Sequence, residues 1–327
     1  MESGRFSLAS AKLNQLARLN AMTKKDKKKG SILKAIFLAF PFVIIYFIVR
    51  NLPVEPCEFL HEETYNAEGE LDYCGADETG FVDLSVRKWP MTVDFRPLDA
   101  LAVNQLCKFE IKIEKADGSP LTARDVALSH TQKIHLLIVN ESLDDYQHLH
   151  PVADPLFDGV WHFSFTPNLS GKYQAFLDFI PIKSPRRVLL SSTFNVDGGH
   201  SLKNNPKENL VFVRDNLRFE INKTRTPLQD SQLELTLAAK DEMGKDVTLY
   251  SVMGAFAHMV AFDSKISGFA HLHPLMDTLP LSRDDSFTGS LTFGFSAPKP
   301  GIYRLWAQVK TSIDKEMFIP FDLEVGS

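Results

Sequence analysis

Cysteine is scarce. The 327-residue chain has three, Cys57, Cys74 and Cys107, which excludes a disulfide-stapled scaffold and leaves room for at most one bridge. Also missing are a phosphate-binding P-loop, the glycine pattern of a dinucleotide fold and a nucleophile elbow, so nucleotide-dependent and serine-hydrolase chemistry has no foothold. Basic residues fall short of acidic ones, 36 against 41, for a net charge of -5. The lysines that do cluster sit near the N-terminus, so a nucleic-acid partner is excluded. Phenylalanine (25), proline (18) and glycine (17) are abundant, a mixture that favours short strands and turns over long helices. At roughly 100–200 residues per domain, the length accommodates two.

A long apolar run occurs once. AIFLAFPFVIIYFIV, from Ala35 to Val49, carries no charge, and Ile32 and Leu33 extend it past Lys34, whose stem can snorkel to an interface. This predicts a single transmembrane helix over residues 31–50. RNLPVEPC, which follows, offers no small-residue cleavage site, so the segment reads as a retained signal anchor. Lys24, Lys25, Lys27, Lys28 and Lys29 precede it, whereas Arg50 and then carboxylates follow. The positive-inside rule therefore puts a basic tail, residues 1–30, in the cytoplasm and the rest outside the cell membrane, in the periplasm if the source is bacterial. The lipid bilayer is the expected partner of residues 31–50. Leu8, Leu13, Leu16 and Leu19 fit either a short amphipathic helix on the inner leaflet or a frayed tail.

Residues 51–84 form an acidic neck. No Lys or Arg occurs between Asn51 and Val86, against ten carboxylates, which suits a solvated connector or a docking surface. Outside the membrane thiols tend to be oxidised, so a Cys57–Cys74 bridge is expected; Cys57, His61 and Cys74 as metal ligands are the alternative, without an evident fourth.

Beyond the neck the chain repeats itself. IHLLIVNESLDDYQHLHP, residues 134–151, aligns without gaps on AHMVAFDSKISGFAHLHP, residues 257–274, with identities at His135/His258, His148/His271, Leu149/Leu272, His150/His273 and Pro151/Pro274. Further on, Trp161–Phe179 matches Leu291–Val309, pairing Phe163 with Phe293, Phe165 with Phe295, Gly171 with Gly301 and Tyr173 with Tyr303. Upstream, FEIKI and LELTL both alternate apolar and polar residues at the strand period. The expectation is all-β: two tandem β-sandwich domains, 85–197 and 210–327, of about seven short strands each. The polar linker 198–209 would join them like beads with some freedom between.

Six of the ten histidines fall in the repeat. In an extended strand, residues two apart share a face, so His148 and His150 present both rings on one side, as do His271 and His273. A hairpin would bring His135 or His258 beside its own pair. The candidate metal ligands are therefore His135, His148 and His150 in one domain and His258, His271 and His273 in the other. Imidazole is the commonest transition-metal ligand, and three nitrogens with an open position suit copper or, alternatively, zinc. His61, His130, His162 and His200 have no counterpart in the other copy and read as core, surface or accessory residues, with His162 packing beside Trp161. Three Asn-x-Ser/Thr sequences, at Asn140, Asn168 and Asn222, matter only in a glycosylating pathway.

The His-x-His-Pro motif and the strand GKYQAF or GIYRLW resemble the copper-handling, cupredoxin-like or immunoglobulin-like extracytoplasmic domains of bacterial envelope proteins, the YtkA-like group among them. That resemblance implies copper binding or delivery outside the membrane. Blue-copper electron transfer requires a Cys thiolate, and neither copy has one near its histidines; Cys107 reads as a core residue. The leading function is a membrane-anchored metal-binding protein for storage, delivery or sensing, with a membrane protein or a metal-delivery protein as partner. The alternative is a non-catalytic scaffold subunit of a membrane complex. An enzyme ranks last, because no repeated carboxylate stands beside the histidines as a general base.

Overall fold

In the strand Cys107–Glu114, Cys107, Phe109, Ile111 and Ile113 are buried while Lys108, Lys112 and Glu114 are exposed, so one face enters a core and the other meets water. Leu233–Lys240 repeats the pattern with Leu233, Leu235 and Leu237 buried. The computed structural model of the chain describes residues 34, 37–50, 64–65, 71–72, 80–85, 89–183, 186–198, 207–275, 280, 282 and 284–327. The basic tail 1–30, the cysteines and His61 of the neck, and most of the linker 198–209 with His200 lie outside them.

Each copy is a sandwich of two antiparallel sheets, so the chain is mostly β with two repeated domains. In the first, one sheet has the order Thr92–Pro97, Cys107–Glu114, Val160–Phe165, Val152–Ala153, and the other the order Val188–Val196, Gly171–Phe179, His135–Asn140, Tyr146–Leu149. In the second, Val211–Arg214, Leu217–Lys223, Leu233–Lys240 and Leu291–Phe295 form one sheet. The other has the order Ser286–Thr288, Thr248–Tyr250, Gly301–Ser312, His258–Asp263, Gly268–Leu272, with Lys315–Val325 also paired to Gly301–Ser312. Tyr173 and Tyr303 are buried in equivalent places, with hydroxyls 2.8 Å from Leu169 O and 3.0 Å from Lys299 O, carbonyls four residues back; Tyr303 donates to its carbonyl and Tyr173 to the Asp145 carboxylate. Cys107 is a free, fully buried thiol.

The histidine-bearing strands do not alternate. HLLIVN is buried throughout and HMVAFD nearly so, which requires cover on both faces. Leu136, Ile138, Met259 and Ala261 fill their own sandwiches. Leu137, Val139, Tyr146 and Phe176 point the other way and meet Val260, Phe262, Phe269 and Trp306 in a third core between the domains. Those are equivalent positions of the repeat, Leu137 with Val260, Val139 with Phe262, Tyr146 with Phe269 and Phe176 with Trp306, so each domain offers the same patch to the other. Tyr146 stacks on Trp306 at 5.7 Å, and Phe176 lies 5.2 Å from Phe269. Leu143, held at φ 66°, receives hydrogen bonds on its carbonyl from Arg304 Nη1 (2.9 Å) and Trp306 Nε1 (3.2 Å). The expected freely jointed beads are thus corrected: an apolar outer face on each domain docks the two together.

The end of the neck belongs to this assembly too. Residues 80–85 follow the second domain, with Val82–Asp83 pairing onto Gly268–Phe269, and the chain then enters the first domain at Trp89. Gly268 permits the pairing, because a Cβ there would stand 1.7 Å from the Val82 carbonyl oxygen. In a separate unit, Met1–Pro56, residues 37–50 are helical and every one is exposed. Among the described residues no helix is long and apolar enough to cross a membrane.

Removing the ring of Trp306, 7% exposed and central to the interdomain core, opens a cavity and takes one of the two donors from the Leu143 carbonyl, leaving Arg304 Nη1. Trp306→Ala is expected to destabilise the protein by about 3–5 kcal/mol in equilibrium urea denaturation. A change below about 1 kcal/mol would show that the faces are not a packed interface.

Candidate metal centre

A tight turn precedes each histidine strand. In Ser129–Gln132 the central residues His130 and Thr131 have φ 49° and 70°; in Val252–Ala255, Met253 and Gly254 have φ 48° and 75°. Positive φ at both central positions is the geometry of two-residue hairpin turns, and for a β-branched threonine it is strained. The turns aim a carbonyl at the first residue of the strand that follows. His135 Nε2 donates to Ser129 O at 2.8 Å, and His258 Nε2 donates to Val252 O at 3.0 Å. A carbonyl only accepts, so both rings carry their proton on Nε2 and present the Nδ1 lone pair to the cluster.

The hairpins then deliver the other rings. Leu137 pairs with His148 and Val260 with His271, placing these histidines on the same outer face as His135 and His258, while Leu149 and Leu272 turn into the sandwich cores. Potential ligand atoms of His135, His148 and His150 all lie within 4.8 Å of one another, and so do those of His258, His271 and His273. An ion with bonds of about 2.0–2.1 Å in tetrahedral geometry holds its nitrogens about 3.3 Å apart, so small side-chain rotations close either set. Both triplets could hold a metal.

The tautomer of His148 is fixed from the opposite domain. Gln308 donates its amide nitrogen to Glu316 Oε1, and a carboxylate can only accept, so the Gln308 Oε1 faces His148 Nδ1 at 2.8 Å and that nitrogen bears the proton. His148 Nε2 is left with a lone pair pointing at His135 Nδ1, 3.0 Å away, which is also a lone pair. Two lone pairs at that distance repel unless a cation lies between or beside them. In the second triplet His271 Nδ1 stands 3.7 Å from Asp178 Oδ2, too far for a hydrogen bond, and His271 Nε2, His258 Nδ1 and both ring nitrogens of His273 are buried without a partner. Asp178 aligns with Gln308 in the repeat. Gln308 holds the far nitrogen of His148 by a hydrogen bond, as a group behind a metal-bound imidazole does, whereas Asp178, paired with Arg187, stands beside His271 beyond hydrogen-bond distance.

A proton is a poor candidate for that cation. Burial, together with the neighbouring imidazoles, pushes His148, His271 and His273 well below the ordinary histidine value, His258 down to about 4 and His150 to about 3. His130, which has no counterpart histidine in the other copy, is nonetheless buried in the cluster, with its ring 3.8 Å from that of His273. Burial and the nearby His258 push it well below its ordinary value as well. The sequence marks Asp178 and Gln308 only by their alignment, one strand position before Phe179 and Val309. His162, expected to pack beside Trp161, is partly exposed and bonds Asp154 Oδ2 at 2.8 Å, beside a groove that His150 also lines.

These shifts give the metal-free protein a definite acid sensitivity. A histidine whose folded pKa lies below its unfolded value near 6.5 takes up a proton on unfolding, so its contribution to stability is complete above that pH and declines below it. The urea midpoint of the metal-free chain should be flat above about pH 7 and fall steadily from about pH 6.5 towards pH 4, by on the order of 1 kcal/mol per pH unit for each such histidine. A midpoint unchanged between pH 7 and pH 5 would contradict the burial of neutral rings.

Comparison with known proteins adds the family and little else. No curated protein matches the chain. Among solved structures, MtrC from Shewanella baltica OS185 is similar over 70% of this chain and 68% of its own, at 7% identity and a TM-score of 0.21. The trypsin-activated alpha-2-macroglobulin from Escherichia coli is similar over 76% of this chain and 17% of its own, at 12% identity and a TM-score of 0.24. Neither likeness carries an argument about fold or function. One family model matches twice, over residues 89–196 and 211–327, once on each repeated domain. The chain therefore belongs to the family described as Domain of unknown function (DUF8832).

Proposed function

We propose that this is a metal-binding protein that carries a transition-metal ion, copper foremost and zinc as the alternative, on each of its two histidine triplets, and that it serves metal storage, delivery or sensing outside the cell membrane. The observation that carries this reading is the pair of imidazole lone pairs, His135 Nδ1 and His148 Nε2, held 3.0 Å apart by hydrogen bonds on their far nitrogens. Copper binds such nitrogen sites more tightly than other divalent first-row ions, and an all-imidazole set without thiolate suits holding an ion better than blue-copper electron transfer. His135 and His258 would bind through Nδ1 and His148 and His271 through Nε2, with His150 and His273 completing each set. The bilayer anchor at residues 31–50 rests on the uncharged run in the sequence and on a helix at 37–50 with apolar side chains exposed all round.

The full chain, purified in detergent and titrated with Cu(II) or Zn(II), should bind close to two ions and melt at a higher temperature when loaded; an ion at 100 times its Kd adds about 2.7 kcal/mol of stability. A chain that purifies without metal, takes up none and melts at the same temperature with and without it would favour the scaffold reading instead.

Orientation is tested separately. Protease added outside intact cells should digest both sandwich domains and spare the first 30 residues; protection of the C-terminal domain would reverse the topology.

A further inference from the structure

We propose that the two histidine triplets are the halves of one two-metal centre, completed only when the two domains dock, and that metal enters it from the side of His150. This rests on the metal-binding reading above and specifies how the two ions are related.

The rings do not fall into two separate groups. Within the first triplet the centroids are 5.0–5.2 Å apart, and within the second 4.7–5.5 Å. Between triplets, His148 lies 5.2 Å from His271, His135 lies 5.5 Å from His271, and His148 lies 6.1 Å from His258. A ring is thus as close to its neighbour in the other domain as to its partners in its own. Ions bound by such rings share one water-poor space, the arrangement in which two-metal sites hold their ions about 3.5–4 Å apart.

Neither half is complete in its own domain. The group that fixes the His148 tautomer, Gln308, comes from the second domain, and the carboxylate beside His271, Asp178, comes from the first. His130 of the first domain covers His273 of the second. The docking that brings these together is the apolar patch of Leu137, Val139, Tyr146 and Phe176 against Val260, Phe262, Phe269 and Trp306. Because the patches are equivalent in the repeat, the two triplets meet across a pseudo-twofold relation, as two copies of one site do in a symmetric dimer.

The relation is broken at the rim. His273 is buried beneath His130, whereas the position equivalent to His130 in the second copy is Met253. His150 remains partly exposed on the open groove formed with Lys108, Leu149, Val152 and His162, while its Nε2 is buried and has no partner. The first triplet is therefore the one that lies nearer to solvent.

Electron paramagnetic resonance of the full chain loaded with two Cu(II) distinguishes the arrangements. Two adjacent Cu(II) ions should be magnetically coupled, giving a half-field transition and an integrated signal less than half that of two isolated spins. Two coppers that integrate to two full, uncoupled spins, or a chain that saturates at one copper, would overturn the two-metal centre while leaving metal binding intact. A chain that binds no copper would remove the proposed function itself. As a second measurement, the His271→Ala/His273→Ala chain should hold copper at its first triplet at least tenfold more weakly, because that triplet has lost its neighbour. Unchanged affinity would count against the proposal. Should that variant fail to fold, the spectrum of the unmodified chain decides alone.

For the route of entry, His162→Ala with Val152→Trp, which fills the groove without touching a ligand, should slow Cu(II) uptake severalfold in stopped-flow mixing and leave stoichiometry at two. Uptake at the unmodified rate would place the entrance elsewhere.

Discussion

The docking of two apolar sheet faces is the constraint from which the rest of this structure follows. Each sandwich has an ordinary core between its sheets, built from alternating residues such as Phe109 and Ile111 or Leu235 and Leu237. What is unusual is the second apolar face, on the strands that begin with His135 and His258. Left in water, Val139, Phe176, Phe262 and Trp306 would expose a large contiguous patch, and burying each of them stabilises by roughly 1.5–3 kcal/mol. Against one another they form a continuous interior, and the imidazoles at one end of it become buried as a consequence. The strand Val82–Asp83 lies on the second domain, and Trp89, packed against the core of the first and against the core between them, is where the described chain resumes.

Burial sets the chemistry of those imidazoles. In water each ring would choose its tautomer freely and hydrogen-bond at both nitrogens. Here Ser129 O, Val252 O and Gln308 impose the proton on one nitrogen and leave the other aimed inwards, where the surrounding side chains are again imidazoles. Unpartnered buried nitrogens normally carry a penalty of roughly 1–3 kcal/mol each, and this centre gathers several of them. Folding tolerates such an arrangement when a bound ion meets those lone pairs, and metal binding and folding are then linked.

The repeat gives the centre its form. A duplicated domain that docks on its own copy reproduces inside one chain the isologous contact of a symmetric dimer, so every contribution appears twice: a carbonyl lock on the first histidine, a His-x-His pair after the hairpin, a polar group lent to the other copy. Fusion in one chain also lets the copies diverge. His130 against Met253 and Asp178 against Gln308 are differences that an assembly of identical subunits could not have, and they make the two halves chemically distinct.

The repeat, the strand period and the six repeated histidines were all legible in the sequence, because each depends on local pattern: Leu149 turns inwards because its neighbours His148 and His150 are one residue away on a strand. The sequence also carries a clue to the docking, since HLLIVN and HMVAFD lack the alternation that a half-exposed sheet requires. An apolar outer face says only that something covers it. That the cover is the other copy, that His130 joins the cluster, and that Gln308 reaches His148 across 160 residues of chain depend on how two folded surfaces fit, which no local pattern encodes. The sequence by itself determined which side chains could ligate and on which face of each sheet they stand; only the tertiary structure decided that the two sets face each other, because proximity between domains is settled by the complementarity of whole surfaces.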